Sequence, residues 1–140
     1  MLVDYLDLNG ETASFNSERF VRMRPSLGDL EPPDALTIRL DSKRFHSSSA
    51  VSSILDALDL YIPMCRLTVP NGTPTWLSSR RVMSVEQSTS NHHPAAQSVV
   101  AIHIHGGPSL NLALKESVNE AKATIAQSIE NWRTVHAGPS

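Results

Sequence analysis

Two stretches of the chain alternate strictly between apolar and polar residues. A period of two places the apolar side chains on one face of a half-buried strand. Each stretch follows a polar, proline-containing loop, over 25–34 and 88–97, and precedes a turn and a short segment that leads into a helix. The apolar positions are Leu36, Ile38 and Leu40 in the first stretch and Val100, Ile102 and Ile104 in the second.

Apolar residues spaced three and four apart predict a helix after each of these strands. In the second, residues 117–120 form a capping box, in which Ser accepts from the backbone and Glu reaches back, and an apolar stripe follows over 118–132. In the first, the stripe over 51–58 is shorter, and we expect Ser48 or Ser49 to act as its N-cap.

An Asn-Gly pair lies between extended runs in both parts of the chain. Asn9-Gly10 follows the run 3–8, and Asn71-Gly72 follows the run 65–69. Asn-Gly favours a type I′ hairpin turn because both residues tolerate positive φ. In this comparison Pro70 reads as an extra residue that marks a strand edge or a bulge.

These similarities indicate an internal repeat. Residues 9–23 laid over residues 71–85, an offset of 62, give four identities and four further positions that are apolar in both copies. Each copy reads as strand, turn, strand, loop, strand, turn, strand and helix. A unit of about 60 residues is marginally stable alone. We therefore expect an α+β fold in which two homologous β-meander-plus-helix units, 1–61 and 62–140, pack as a pseudo-dimer.

The second copy combines an Asn-Gly turn with a polar-apolar segment, an apolar strand, a glycine turn and a Lys-Glu-Ser entry into a helix, at Asn71-Gly72, 77–86, 99–104, Gly106-Gly107 and 114–118. The first copy keeps the Asn-Gly turn, residues 15–17 and Phe20. In this combination the second copy resembles the FlbD-like family of small proteins encoded in bacterial flagellar operons. The resemblance implies a small regulatory or assembly protein without catalytic residues.

Composition and charge exclude several classes of function. Twelve Lys+Arg against fourteen Asp+Glu give a net charge of -2, which excludes a polycation that holds nucleic acid by bulk electrostatics. Aromatic residues are only 5% of the chain and do not accompany the arginines as base-stacking platforms do. The single cysteine, Cys65, cannot form an intramolecular disulfide, and no apolar stretch is long enough to cross a membrane. We expect a cytoplasmic protein that does not bind membranes.

Basic residues after the hairpins and histidines after the second loop are the candidate ligand-binding groups. Arginine and histidine side chains between the two units would hold an anion such as a nucleotide. A metal site is a further candidate, because residues at i and i+2 of a strand project from one face. In the first copy the equivalents of the two strand histidines appear as Arg39 and Asp41, which favours an ordinary solvent-facing role instead. The anion-site candidates are Arg19, Arg22, Arg81, His103 and His105, and the metal-site candidates are His92, His103 and His105.

The sequence contains no common nucleotide-binding loop and no Gly-x-Ser-x-Gly nucleophile motif. We therefore predict no enzymatic activity and no cofactor. The leading hypothesis is a non-catalytic protein-interaction or assembly module that binds a protein partner or itself through sheet edges or helix faces. The alternative is a module that captures an anionic small molecule or nucleic acid between the repeats, and a histidine-based metal site ranks third.

Overall fold

The computed structural model describes residues 1–27 and 31–137. Their fold is α+β, as predicted, with strands arranged in three antiparallel sheets and two helices. Positions 28–30 of the predicted first loop and positions 138–140 of the predicted second unit lie outside the described residues. No helix of the described residues is both long and apolar enough to span a membrane.

Residues 1–61, called here the first half, and residues 62–137, the second half, contain the same elements in the same order. The first half contains β1 (Leu2–Leu6), β2 (Thr12–Asn16), a 3-10 turn (Ser17–Arg19), β3 (Phe20–Pro25), β4 (Leu36–Leu40), β5 (Arg44–Ser47) and α1 (Val51–Asp59). The second half contains β6 (Met64–Thr68), β7 (Pro74–Ser78), a 3-10 turn (Ser79–Arg81), β8 (Val82–Gln87), β9 (Ser98–Ile102), β10 (Leu110–Leu114) and α2 (Val118–His136).

The two sets of elements match residue by residue as far as the fourth strand. Each element from β1 to β4 lies 62 positions before its counterpart, and the bounds agree at both ends. The turn after β9 is then longer than the turn after β4, and α2 has 19 residues where α1 has 9. The extra turns of α2 contact the end of α1, where the Trp132 indole N–H donates to the Asp59 carbonyl at 2.8 Å.

In both halves the same contact joins the first two strands to the other three. The Ser48 N–H donates to the Leu6 carbonyl at 3.0 Å, and the Lys115 N–H donates to the Thr68 carbonyl at 2.8 Å. These bonds join the segment after β5 to the end of β1, and the segment after β10 to the end of β6. Each half therefore runs in the spatial order β2-β1-β5-β4-β3 or its counterpart β7-β6-β10-β9-β8.

The Asn-Gly turns differ from the predicted type I′ geometry. Gly10 and Gly72 have φ of +79° and +93°, whereas neither asparagine has positive φ. The Gly10 N–H donates to the Asp7 carbonyl at 3.0 Å, so a turn of type I connectivity precedes a glycine in the left-handed region. This is the turn-plus-bulge arrangement of longer hairpin loops.

Pro70 is not an extra residue, because the offset of 62 is unbroken through both hairpins. It corresponds to Leu8 and lies in the turn that the Gly72 N–H closes on the Val69 carbonyl at 2.9 Å. Pro70 is therefore the second residue of a four-residue turn, where the fixed φ of proline is favourable. The prediction of a bulge at Pro70 was wrong for this reason.

The N-terminus of α1 also differs from the prediction. Its N-cap is Ala50, which has no side-chain acceptor, so neither Ser48 nor Ser49 caps the helix. The Ser48 hydroxyl donates to the Asp7 carbonyl at 2.7 Å, and the Ser49 hydroxyl accepts from the Leu6 N–H at 2.8 Å. Both serines instead bind the backbone at the end of β1. The predicted capping box of α2 is confirmed.

The fourth strand of the second half ends before the two histidines predicted to lie on it. β9 stops at Ile102, so His103 and His105 belong to the turn that follows. The offset of 62 pairs His103 with Asp41 instead of Arg39, and His105 with Lys43 instead of Asp41. The alignment from the sequence was wrong by two positions in this region.

Each half has its own hydrophobic core, and each core receives side chains from the other half. The first contains Val3, Phe15, Phe20, Met23, Leu36, Ile38, Leu40, Ile54 and Leu58, with Met64 and Trp76 of the second half packed against it. The second contains Cys65, Leu67, Leu77, Val100, Ile102, Ile104, Leu114, Ala121 and Ile125, together with Val21 of the first half.

Candidate functional site

The two halves meet through one pair of strands. β3 of the first half pairs antiparallel with β7 of the second, with Arg22 opposite Leu77 and Met23 opposite Trp76. β7 is the counterpart of β2, not of β3. The junction therefore joins two different edges of the repeating unit, and an association of this kind is heterologous.

A bulge in β3 directs an apolar side chain across this junction. The register of β3 against β4 shifts between Phe20 and Arg22, so Val21 is the additional residue. Bulges change the direction in which a side chain points. Val21 is 0% exposed and packs in the core of the second half beside Leu77.

An ion pair closes the polar side of the junction. The Arg81 guanidinium of the second half donates to both carboxylate oxygens of Asp41, with Nη2 at 2.9 Å from Oδ2, and also to the Glu18 carbonyl at 2.6 Å. The His105 backbone N–H donates to the same carboxylate at 2.9 Å, and the Arg19 guanidinium lies 3.8 Å from it. Asp41 therefore organises residues from both halves.

The environment of Asp41 favours its charged form. Burial acts to raise the pKa of Asp41. The hydrogen bonds from Arg81 and from the His105 backbone, and then the charges of the two guanidinium groups, outweigh burial and hold the pKa below its ordinary value.

The counterparts of the junction strands β3 and β7 are β8 and β2, and each of them has an unpaired edge among the described residues. Among the described residues, β2 pairs only with β1, and β8 pairs only with β9. β8 contains the same bulge as β3, between Val82 and Ser84. The additional residue is Met83, which is 61% exposed although its counterpart Val21 is fully buried.

The β1–β2 edge also exposes an apolar residue whose counterpart is packed. Leu2 on β1 is 69% exposed, whereas Met64, 62 positions later, packs against the first core. At each open edge an apolar side chain is therefore exposed at a position whose counterpart is packed against a core at the internal junction.

The structure separates the predicted anion-site residues into two groups. Arg19, Arg81 and the backbone of His105 surround Asp41, and the Arg81 guanidinium also donates to the His103 carbonyl at 3.2 Å. Arg22 contacts other residues: its Nε donates to the Thr75 hydroxyl at 2.7 Å, and its side chain lines two cavities.

The predicted metal-site histidines lie in two different turns. The rings of His103 and His105 have centroids 6.5 Å apart. His92 lies in the loop between β8 and β9, and its Nδ1 accepts from the Thr89 N–H at 2.8 Å. Over residues 1–27 and 31–137, no three His, Cys, Asp or Glu side chains are placed to hold one metal ion.

Cys65 lies in the core of the second half, as its apolar neighbours predicted. Burial raises the pKa of the Cys65 thiol, while a hydrogen bond with Ser79 opposes this effect. A buried thiol with a raised pKa forms little thiolate, which is the nucleophilic species. The only cysteine of the chain is therefore a packing residue.

Asp41 and Met83 were missed as site residues from the sequence. Asp41 was interpreted as a solvent-facing counterpart of His105, and the sequence did not show that Met83 is exposed where Val21 is buried. The strand register shows that both Val21 and Met83 are bulge residues. The available signal for Asp41 was the offset of 62, which pairs it with His103.

No protein-family model matches the chain, and no curated protein or solved structure matches it either. Function is therefore inferred from the geometry of the junction and of the unpaired β2 and β8 edges.

Proposed function

We propose that the chain is a non-catalytic assembly module, built as a tandem repeat, which associates with further copies of itself. The contact repeats the internal junction: β8 of one copy pairs with β2 of the next, as β3 pairs with β7 within the chain. The observation that carries this proposal is the heterologous junction, which leaves one edge of each kind unpaired among the described strands.

The geometry of the junction determines what kind of assembly results. A two-fold arrangement of the repeats would also pair β8 with β2 inside the chain, and the described sheets do not contain that pair. The halves instead form a head-to-tail pseudo-dimer. Head-to-tail contacts form a ring when the rotation closes and a filament when it does not. Exposed strand edges offer the backbone donors and acceptors for this pairing.

Apolar contacts would supply most of the association free energy. Met83 of one copy would enter the core of the next near Phe15, the counterpart of Leu77, as Val21 does within the chain. Burying a side chain of this size contributes about 1.5–3 kcal/mol. Leu2 would pack as Met64 does at the internal junction.

The external contact does not repeat the ion pair of the internal junction. Arg19 of the next copy would occupy the position of Arg81, but it would face His103, which stands where Asp41 stands inside the chain. Breaking a hydrogen bond to a charged group costs about 1.5–3 kcal/mol. The external contact is therefore weaker than the internal one, and association depends on protein concentration.

Replacing the exposed bulge residue tests the apolar contact. Met83→Lys is expected to weaken self-association at least about tenfold, since 1.4 kcal/mol corresponds to that factor. Leu60→Lys is the matched control, because Leu60 is 62% exposed and lies at the end of α1 instead of at an edge. Sedimentation velocity over a concentration series measures both. Equal weakening in the two variants, or a wild-type chain that stays monomeric at all concentrations, contradicts the proposal.

Restoring the missing carboxylate provides a gain-of-function test. His103→Asp places a carboxylate opposite Arg19 of the next copy, so we expect self-association to strengthen by about tenfold or more. Asn111→Asp is the control, because Asn111 is exposed on β10 and the substitution adds the same charge. An equal response of the two variants, or weaker association of His103→Asp, argues against this register.

Other expectations from the sequence stay predictions. The FlbD-like resemblance, the cytoplasmic location and a protein partner other than a second copy belong to this group. The alternative function, capture of an anionic small molecule, is favoured by a specific cluster of arginines described next.

A further inference from the structure

Three arginines form a row across the first half. Arg22 on β3 is directly opposite Arg39 on β4, and Arg39 is directly opposite Arg44 on β5. Like charges directly opposite one another destabilise an antiparallel pair. The row therefore carries an unfavourable charge interaction at two successive cross-strand positions.

The chain supplies little compensation for this charge. Arg24, two residues after Arg22 on the same strand, forms a two-point ion pair with Glu31 at 2.7 and 2.9 Å. Within the part of the chain that the structure describes, no other carboxylate pairs with these four arginines. Arg39 donates to the Leu40 carbonyl at 2.9 Å, which is a neutral acceptor.

Burial makes the charge of Arg22 less favourable still. Burial and, second, the charge of Arg24 lower the pKa of Arg22 to about 10. Its Nε donates to the Thr75 hydroxyl, which is a neutral acceptor. A bound anion would stabilise the charged form of Arg22, because it would solvate the partly buried guanidinium and would also neutralise the row.

Two cavities meet at this cluster. The smaller, of about 100 Å³, is lined by the four arginines with Thr37 and Leu110. The larger, of about 400 Å³, shares Arg22 and Arg24 with it and is otherwise mainly apolar. The apolar side chains that line it include Leu27, Val69, Pro70, Pro74 and Leu112.

We propose that these two cavities form one binding site for a phosphorylated small molecule. The phosphate would lie in the smaller cavity against Arg22, Arg39 and Arg44, and the organic part in the larger one. Planar guanidinium groups bind phosphate oxygens in pairs, and an anion of two or more charges matches the excess of the row. This site is independent of the β2 and β8 edges, and it differs from the group around Asp41.

The smaller cavity is tested with inorganic phosphate and pyrophosphate at constant ionic strength, by isothermal calorimetry and amide chemical shifts. Arg44→Gln is the first variant, because the Arg44 side chain is exposed and forms no hydrogen bond or ion pair with the described residues. We expect it, and Arg39→Gln, to weaken pyrophosphate binding by about tenfold or more. Arg66→Gln is the control, since Arg66 is exposed on β6 outside the row, and we expect less than about a twofold effect.

The larger cavity is tested by comparing adenosine monophosphate with inorganic phosphate. We expect the nucleotide to bind more tightly, by about fivefold or more, because its organic part adds apolar contact. Unliganded Arg39→Gln is expected to unfold at the same temperature as the wild type or higher, since it removes a like-charge pair. This readout separates loss of the site from loss of the fold.

Three outcomes overturn the proposal. The first is the absence of heat and of shift changes with both phosphate probes at about millimolar concentrations, where weak ligands register. The second is equal weakening by Arg66→Gln, which indicates diffuse charge attraction. The third is tighter binding of a single-stranded oligonucleotide than of the mononucleotide, together with an equal loss of oligonucleotide affinity in all three variants. This result indicates a basic surface that binds polyanions.

Discussion

Arg81 binds both oxygens of the Asp41 carboxylate, so one guanidinium of the second half is fixed against the first. Arg19, the counterpart of Arg81, approaches the same carboxylate at 3.8 Å but remains 56% exposed. Two residues at equivalent positions therefore have different environments. One is enclosed by the junction, and the other is free to meet solvent or a further copy.

Replacing Arg81 by Gln is expected to lower the free energy of unfolding by about 1–3 kcal/mol, because it removes charge-assisted bonds and leaves the Asp41 carboxylate without its main partner. Arg19→Gln removes the same charge from the equivalent position, where an exposed pair contributes about 0–1 kcal/mol. Urea unfolding of both variants measures the difference. Equal destabilisation would show that the junction does not depend on the two-point contact.

The ion pair between Glu31 and Arg24 predicts that the stability of the fold depends on pH in the acid range. The hydrogen bond from Arg24 is the main reason that the pKa of Glu31 falls from its ordinary value of 4.5 to about 2. Because the folded pKa is the lower one, the stabilisation is complete above the unfolded pKa and is lost as the pH falls through the folded value.

The wild type is therefore expected to be more stable than Glu31→Gln at pH 7, with a difference that shrinks from about pH 4.5 downward. Urea unfolding between about pH 3 and pH 7 measures this. Glu86→Gln is the control, because Glu86 is exposed and forms no ion pair within residues 1–27 and 31–137. A Glu31→Gln difference that is constant with pH would contradict the assigned pairing.

The glycines of the hairpins are expected to be conformationally required. Gly10 and Gly72 have positive φ, and a Cβ at either would meet nothing within 4 Å. Replacement by Ala is therefore expected to cost about 1–2 kcal/mol from backbone strain alone. Gly107→Ala is the control, because its φ is not in that region and its Cβ would make an ordinary contact at 3.6 Å. Thermal unfolding should show Gly107→Ala close to the wild type or above it.

The two helix N-termini predict opposite effects of a serine. Ser117→Ala removes the capping box of α2 and is expected to cost about 1 kcal/mol. Ala50→Ser supplies an acceptor to α1, which has no side-chain cap, and is expected to stabilise by about 0.5–1 kcal/mol. Chemical denaturation of the two variants gives both signs. Destabilisation by Ala50→Ser would indicate that the hydroxyl cannot reach the first turn.

Local chemistry was sufficient to predict the elements, because hairpin, cap and alternation signals each occupy a few neighbouring residues. The sequence alignment of the two halves failed at β4 for a physical reason. Alternation has a period of two, so a shift of two positions leaves the apolar pattern intact. The sequence therefore matched Leu36 with Val100, although the structure matches it with Ser98.

The candidate sites required information that no local pattern contains. The three arginines of the row, Arg22, Arg39 and Arg44, are unevenly spaced in the sequence. Only the register of three strands brings them into one row. Val21 and Met83 likewise occupy the same bulge of equivalent strands. Val21 is buried because β3 also pairs with β7, whereas Met83 is exposed because β8 pairs only with β9 among the described strands. The three-dimensional pairing of strands, not residue type, distinguishes them.

Covalent linkage of the two halves restricts the number of repeating units in any closed assembly. The internal junction already uses one edge of each kind, so every chain adds two repeating units to a ring and never one. A closed ring formed in this way always contains an even number of units, and its rotational symmetry is half that number. Adjacent units also differ in turn length and helix length, so the two contacts alternate around the circumference.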